Sequence, residues 1–138
     1  MTTPVTIITG ASAGIGTALA RVFARHGHTL ALVARREDRL KALAAELAAS
    51  GAPSPLIISA DIAQPDAVAH VAEMLAARDL EPQYVVNNAG FGINSGFADS
   101  SVDDEQRLLR HERNRREIFL RVVGDFLEVS RRDEERAR

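Results

Sequence analysis

The chain has 138 residues, 46% of them hydrophobic and 26% charged, and a formal net charge of -2. This is one domain's length with enough apolar content for a core, and it shows neither the basic excess of a nucleic-acid binder nor a polybasic run for an anionic membrane. Cysteine is absent, which excludes disulfides, thiolate metal sites and cysteine nucleophiles; no signal peptide or membrane span is visible, so a cytoplasmic location is expected.

In chain order, Val5 to Thr9 is a short β-branched apolar run ending at Gly10, and predicts a buried strand. Ile15 to Arg25 has helical apolar spacing and stops at Gly27. Thr29 to Val33 reads as a second strand, and Glu37 to Ala49 as a helix with Leu40, Leu43 and Leu47 on one stripe. Pro55 to Ser59 is a third strand. Pro65 to Arg78 is a third helix, with Pro65 in its first turn and Val68, Val71, Ala72 and Leu75 inward. Tyr84 to Asn87 is a fourth strand, and the Gly-, Ser- and Asn-rich stretch from Gly90 to Ser101 is a loop. Strands that are apolar on both faces and alternate with helices imply a parallel sheet covered on two sides. Right-handed crossovers then give an α/β doubly wound sheet, incomplete, of order 3-2-1-4.

From Asp103 onward the composition changes. The chain has sixteen arginines and one lysine, and ten of the arginines and ten of the nineteen acids lie in this last stretch. A helical stripe runs through Ile118, Phe119, Val122, Val123, Phe126 and Leu127, weakened by Gly124, and the end from Arg131 to Arg138 is expected to fray.

The segment Thr9-Gly10-Ala11-Ser12-Ala13-Gly14-Ile15-Gly16 sits where the first strand meets the first helix. Such a turn offers unpaired backbone N–H groups and the positive end of a helix dipole, which suit a pyrophosphate. Glycines there let the backbone approach a ligand closely. A ligand-free glycine turn is the competing explanation, and the strand–turn–helix context counts against it.

The spacing Thr-Gly-x-x-x-Gly-x-Gly resembles the cofactor loop of the short-chain dehydrogenase/reductase family. Asp61-Ile62 after the third strand and Asn87-Asn88-Ala89-Gly90 after the fourth resemble two further hallmarks of that family, in the same order. The resemblance covers residues 5 to about 102. It implies a Rossmann-type dinucleotide-binding region over 1–109; the charged, helical tail over 110–138 is read from its composition and apolar spacing. It also implies that Gly10, Ser12, Gly14, Ile15 and Gly16 line the pyrophosphate and neighbouring ribose, that Asp61 and Ile62 flank the adenine, and that Asn88, Ala89 and Gly90 lie against the adenine-side ribose. For Asn87 and Asn88 a purely structural role, tying neighbouring backbone together, is an equal alternative.

The second strand ends Val33-Ala34-Arg35-Arg36, without the acid that would bond the 2′-hydroxyl of NAD. Arg35 resembles the family's NADP-selecting arginine, with Arg36 as a second donor, so NADP is expected over NAD. The alternative is two solvated charges at a helix start, an unfavourable place for cations unless an anion joins them.

The family's chemistry uses a Tyr-x-x-x-Lys pair, a preceding serine and a helical asparagine. This chain has one tyrosine, Tyr84, and one lysine, Lys41, in the wrong order and in different elements. None of His26, His28, His70 and His111 has metal-ligand spacing with carboxylates. No catalytic residue and no metal ligand is assigned. The family pattern fades at Leu109, and Asn114 stands two residues late for the family's asparagine. Two readings of the whole follow. One is the cofactor-binding half of an NADP-dependent oxidoreductase, truncated or read out of frame after about residue 110 and inactive alone. The other is a non-catalytic nucleotide-binding or interaction module with a genuine charged tail. Gene sequencing across that seam separates them. Either way, a parallel sheet edge is left open and self-association through it is expected.

Overall fold

The computed structural model of the chain describes residues 1–90, 101–104 and 106–117. The elements are β1 (Thr3–Thr9), α1 (Gly14–Arg25), β2 (Leu30–Ala34), α2 (Glu37–Ala49), β3 (Leu56–Ser59), α3 (Ala67–Ala76) and β4 (Leu80–Val86). Residues 102–104 and 106–117 are helical. All pairings are parallel and the strand order is β3-β2-β1-β4, as the alternation of elements implies. The stripe from Ile118 to Leu127 lies outside the described residues, as does most of the loop after Gly90.

Alternation of side chains along each strand builds two cores from one sheet. Val5 and Ile7 of β1 and Ala31 and Val33 of β2 face Val68, Val71 and Leu75 of α3. Ile8 of β1 and Leu30, Leu32 and Ala34 of β2 face Ala20 and Ala24 of α1 and Leu40, Leu43 and Leu47 of α2. Both faces of β1 and β2 are therefore buried, which is why these strands read as continuous apolar runs.

Several element bounds differ from expectation, β1 starting at Thr3 rather than Val5 and two others more informatively. β4 begins at Leu80, four residues earlier than its apolar pattern suggests. Pro82 hides that start, because proline cannot donate to a ladder; it is tolerated because β4 is an edge strand whose strand partner among the described residues is β1. The register shifts between Val5 and Thr6, so Gln83 is skipped and Tyr84 pairs with Thr6. α3 begins at Ala67 rather than Pro65, with Asp66 at its cap. The expected seam between 109 and 110 falls inside the helix over 106–117, which runs through it without a break.

Candidate nucleotide-binding site

The carboxyl ends of β1, β2, β3 and β4 open into one cleft of about 290 Å³. Gly10, Ser12 and Ala13 line it from the turn after β1, Arg35 and Arg36 from the end of β2, Asp61 and Ile62 from the end of β3, and Asn88, Ala89 and Gly90 from the end of β4. Nine of the twelve sequence-expected positions thus meet in one place. Gly14, Ile15 and Gly16 lie in the first turn of α1, outside the lining, and the Ile15 side chain is 71% exposed.

The turn after β1 is shaped by close backbone approach. Gly10 has φ +67°, and a Cβ there would come within 2.9 Å of the Ala89 backbone. A Cβ on Gly16 would collide with the Gly10 carbonyl oxygen and stand 2.6 Å from the Asn88 side chain. Gly16 therefore serves the packing of α1 against the strand ends. The N-cap residue Ala13 makes no side-chain capping bond, and the first turn of α1 holds no acid. Its first-turn amide groups thus carry no side-chain cap, an arrangement that suits an anion.

Thr9 organises the other side. Its buried hydroxyl accepts from the backbone N–H of Asn88 at 3.1 Å and of Ala89 at 3.0 Å, and donates to the Val86 carbonyl at 3.3 Å. The Asn88 amide donates to the Gly10 carbonyl at 3.2 Å. Asn88 thus ties the end of β4 to the glycine turn, and its structural role is plain. Asn87 donates from its amide to the Arg115 carbonyl at 3.4 Å and accepts at its own carbonyl from the Arg115 guanidinium at 3.1 Å.

The charges divide unevenly. Arg36 is paired with Asp38, Nη2 to Oδ2, at 3.1 Å in the first turn of α2. That neighbour balances Arg36 locally, so its place at a helix start does not by itself call for a bound anion. Arg35 makes no ion pair among the described residues. Asp61 accepts from the Ala63 N–H at 2.9 Å and from the Arg107 guanidinium at 2.6 Å. Burial pushes its carboxyl up, but the Ala63 N–H, Arg107, Gln64 and Arg35 outweigh that and hold it below the usual carboxylate value.

Arg107 and His111 also line the cleft. Sequence reasoning gave neither a place in the cleft, and it set Asn114 aside as two residues late. Asn114 is 1% exposed and donates to the carbonyls of Ile62 at 2.8 Å and Gln64 at 2.6 Å. His111 is 4% exposed, with Nδ1 3.5 Å from the Glu112 carboxylate. Burial lowers its pKa most, and Glu112 opposes that. The 107, 111, 114 and 115 spacing is one helical face; because those residues are polar, no hydrophobic period marks it. A cap was visible: the Ser101 hydroxyl accepts the Asp104 N–H at 3.1 Å.

Tyr84 is half exposed in β4, and Lys41 pairs with Glu37 on α2 at 3.1 Å. No group of three metal-ligating side chains occurs among the described residues. No helix there is long and apolar enough to cross a membrane.

A β-turn-α cradle at the carboxyl ends of a 3-2-1-4 parallel sheet defines a dinucleotide-binding class of fold. Residues 4–114 match the model of the short chain dehydrogenase family, so the chain belongs to that family. The match extends five residues past Leu109, where the motifs fade to the eye. Over 110 residues the chain is 36% identical to dehydrogenase/reductase SDR family member 7B of Bos taurus, covering 76% of this chain and 34% of that protein. Over 104 residues it is 36% identical to the NADPH-dependent pterin aldehyde reductase of Arabidopsis thaliana, covering 75% of this chain and 42% of the other. A short-chain dehydrogenase from Sphingobium yanoikuyae, solved in complex with NADPH, superposes with a TM-score of 0.81 at 35% identity, over 92% of this chain and 50% of that one. The chain thus spans between a third and a half of the length of these relatives.

Proposed function

We propose that this chain binds NADP(H), in preference to NAD(H), as the cofactor-binding half of a short-chain dehydrogenase/reductase, and that it does not complete the reaction alone. The observation that carries this reading is the convergence, in one cleft, of the turn before α1 at Ser12 and Ala13, the Arg35 guanidinium, which makes no ion pair among the described residues, and the backbone cradle of Gly10 and Ala89. Similarity to the Sphingobium protein solved with NADPH and to the Arabidopsis NADPH-dependent reductase supports it.

Bound NADP(H) supplies the hydride donor or acceptor. In this reading the α1 amides, with Gly10, Ser12 and Gly14, meet the pyrophosphate, while Ile15 and Gly16 set the first turn. Arg35 takes the 2′-phosphate, with Arg36 as a weaker partner because Asp38 already holds it. Asp61 and Ile62 bound the adenine, and Asn88, Ala89 and Gly90 back the ribose. Neither Tyr84 nor Lys41 reaches the cleft lining, so no tyrosine or lysine of this chain holds a proton for a substrate carbonyl there.

Titration of the whole chain with NADP and with NAD tests the reading. The expected result is tighter binding of NADP, with Arg35→Ala erasing most of the difference, a loss of roughly tenfold or more for a charge-assisted contact. Equal affinities unchanged by the substitution overturn the preference. Turnover with a panel of alcohols and carbonyls, abolished by a single substitution in this chain, overturns the claim that it is incomplete.

A further inference from the structure

Resting on the NADP reading above, we propose that Arg107 is a specificity-determining residue that acts through Asp61: by engaging that carboxylate, it keeps Arg35 available to a 2′-phosphate. The lining of the cleft carries three guanidinium groups, on Arg35, Arg36 and Arg107, and a single carboxylate, on Asp61. Two of the cations are spoken for. Arg36 is held by Asp38 at 3.1 Å, and Arg107 reaches Asp61 at 2.6 Å. Arg35 is the lining cation without an ion pair among the described residues, yet it is close enough to Asp61 for the two charges to interact.

Without Arg107, the Asp61 carboxylate would keep the Ala63 N–H and Gln64 but lose the guanidinium that reaches it at 2.6 Å. It would repel an incoming phosphate and attract Arg35, the group that must meet that phosphate. Charges in a partly desolvated cleft interact far more strongly than in bulk water, so a carboxylate stripped of its nearest cation matters there. NAD carries no 2′-phosphate and is much less sensitive to this change. The effect therefore falls on the ratio of the two affinities.

The position of Arg107 is fixed by its own helix. Asn114, two turns along, donates to the carbonyls of Ile62 and Gln64, in the same loop that begins with Asp61. Arg115 bonds the Asn87 carbonyl at the end of β4. Guanidinium and carboxylate are thus delivered to each other on a frame that does not depend on their own pairing. A variant at position 107 keeps those other anchors.

The test is a cycle on the full chain: dissociation constants for NADP and for NAD with the unaltered protein, Arg107→Met, and Arg107→Met combined with Asp61→Asn. Arg107→Met is expected to lower the NADP-over-NAD ratio about tenfold, the scale of a charge-assisted contact. Removing the stranded carboxylate in the double variant is expected to bring the ratio back to within about threefold of the original. Amide exchange over 106–117, measured in parallel, separates a structural role, which would weaken both nucleotides together and leave the ratio alone. An unchanged ratio in Arg107→Met, or no recovery in the double variant, overturns the proposal while leaving the nucleotide reading intact. Failure of the unaltered chain to bind either nucleotide overturns that reading and this proposal with it.

Discussion

The sheet with its three helices and the helix over 106–117 are held by opposite means. Each face of the sheet closes over a cluster of aliphatic side chains, Val5, Ile7 and Val33 against α3 and Ile8, Leu32 and Leu40 on the other side, all almost wholly buried. The 106–117 helix turns a polar face inward instead: Arg107 to Asp61, Asn114 to two carbonyls, Arg115 to Asn87. Burying one large aliphatic side chain contributes about 1.5–3 kcal/mol, whereas a typical hydrogen bond contributes about 1 kcal/mol net. The sheet is thus held by many non-directional contacts that tolerate small shifts. Among the described residues the helix is held by directional bonds that fix its position sharply, the two from the buried Asn114 being its deepest anchor. This teaches that the two regions should respond separately to perturbation, and that the cleft between them has one strong wall and one weak wall.

The largest expected effect comes from the strong wall. Gly16→Ala places a methyl against the Gly10 carbonyl oxygen, which is backbone, and 2.6 Å from the Asn88 side-chain amide that bonds it. Overpacking of that kind costs about 1–3 kcal/mol, and the upper end is expected because backbone must move. Thermal denaturation should show a single transition at clearly lower temperature, with α1 and the strands unfolding together. A variant as stable as the parent would mean that the junction between α1 and the end of β4 is looser than its distances imply.

Asn114→Ala addresses the weak wall. It leaves the Ile62 and Gln64 carbonyls without their amide donor, at a cost of about 1–3 kcal/mol if the helix stays docked. Because the described inner face of that helix is polar, release is the cheaper response. The expectation is a small change in the global transition and a marked fall in amide-exchange protection over 106–117 alone. Uniform loss of protection in helix and sheet would erase the distinction between the two regions.

How much of this was legible follows the same division. The sheet order came from runs such as Leu30 to Ala34, because burial on both faces leaves an apolar strand between turn residues. The cleft came from glycine spacing and from Arg35, Asp61 and Asn88 standing at strand ends, since a parallel sheet brings all its carboxyl ends to one side. The early start of β4 was hidden because Leu80 to Gln83 includes a proline and two polar residues, an edge pattern rather than a core one. Arg107 and His111 were given no place in the site, and Asn114 was set aside, for a different reason. Hydrophobic periodicity finds faces that bury carbon, and this face buries nitrogen and oxygen matched to partners 46 to 52 residues away. Nothing local in the sequence announces such a match. Arg36 lines the cleft where the sequence placed it, but its exposed ion pair with Asp38 two residues on was not foreseen.

The smallest and most selective perturbation is proton concentration. His111 sits on the inner face of the weak helix, 4% exposed, and burial more than any other influence holds its pKa below the ordinary imidazole value of 6.5. In the unfolded chain the ring titrates at that ordinary value. Between the two values the unfolded or undocked form binds a proton that the docked form does not, so stability rises with pH across that window. The contribution is fully present above 6.5 and is lost as pH falls through the lowered value. Asp61 is also shifted down, from a value of 3.8, so its contribution persists above 3.8 and is lost only in stronger acid. The first acid-induced event should therefore be loosening of the 106–117 helix, with Arg107 still able to pair with an ionised Asp61. Amide exchange corrected for intrinsic rates, on either side of pH 6.5, should show protection falling in that helix while β1 and β2 keep theirs. His111→Gln, which cannot take up a proton in this range, should flatten that dependence. Equal loss in sheet and helix, or the same dependence with glutamine in place, would show that the imidazole does not control how the helix is held.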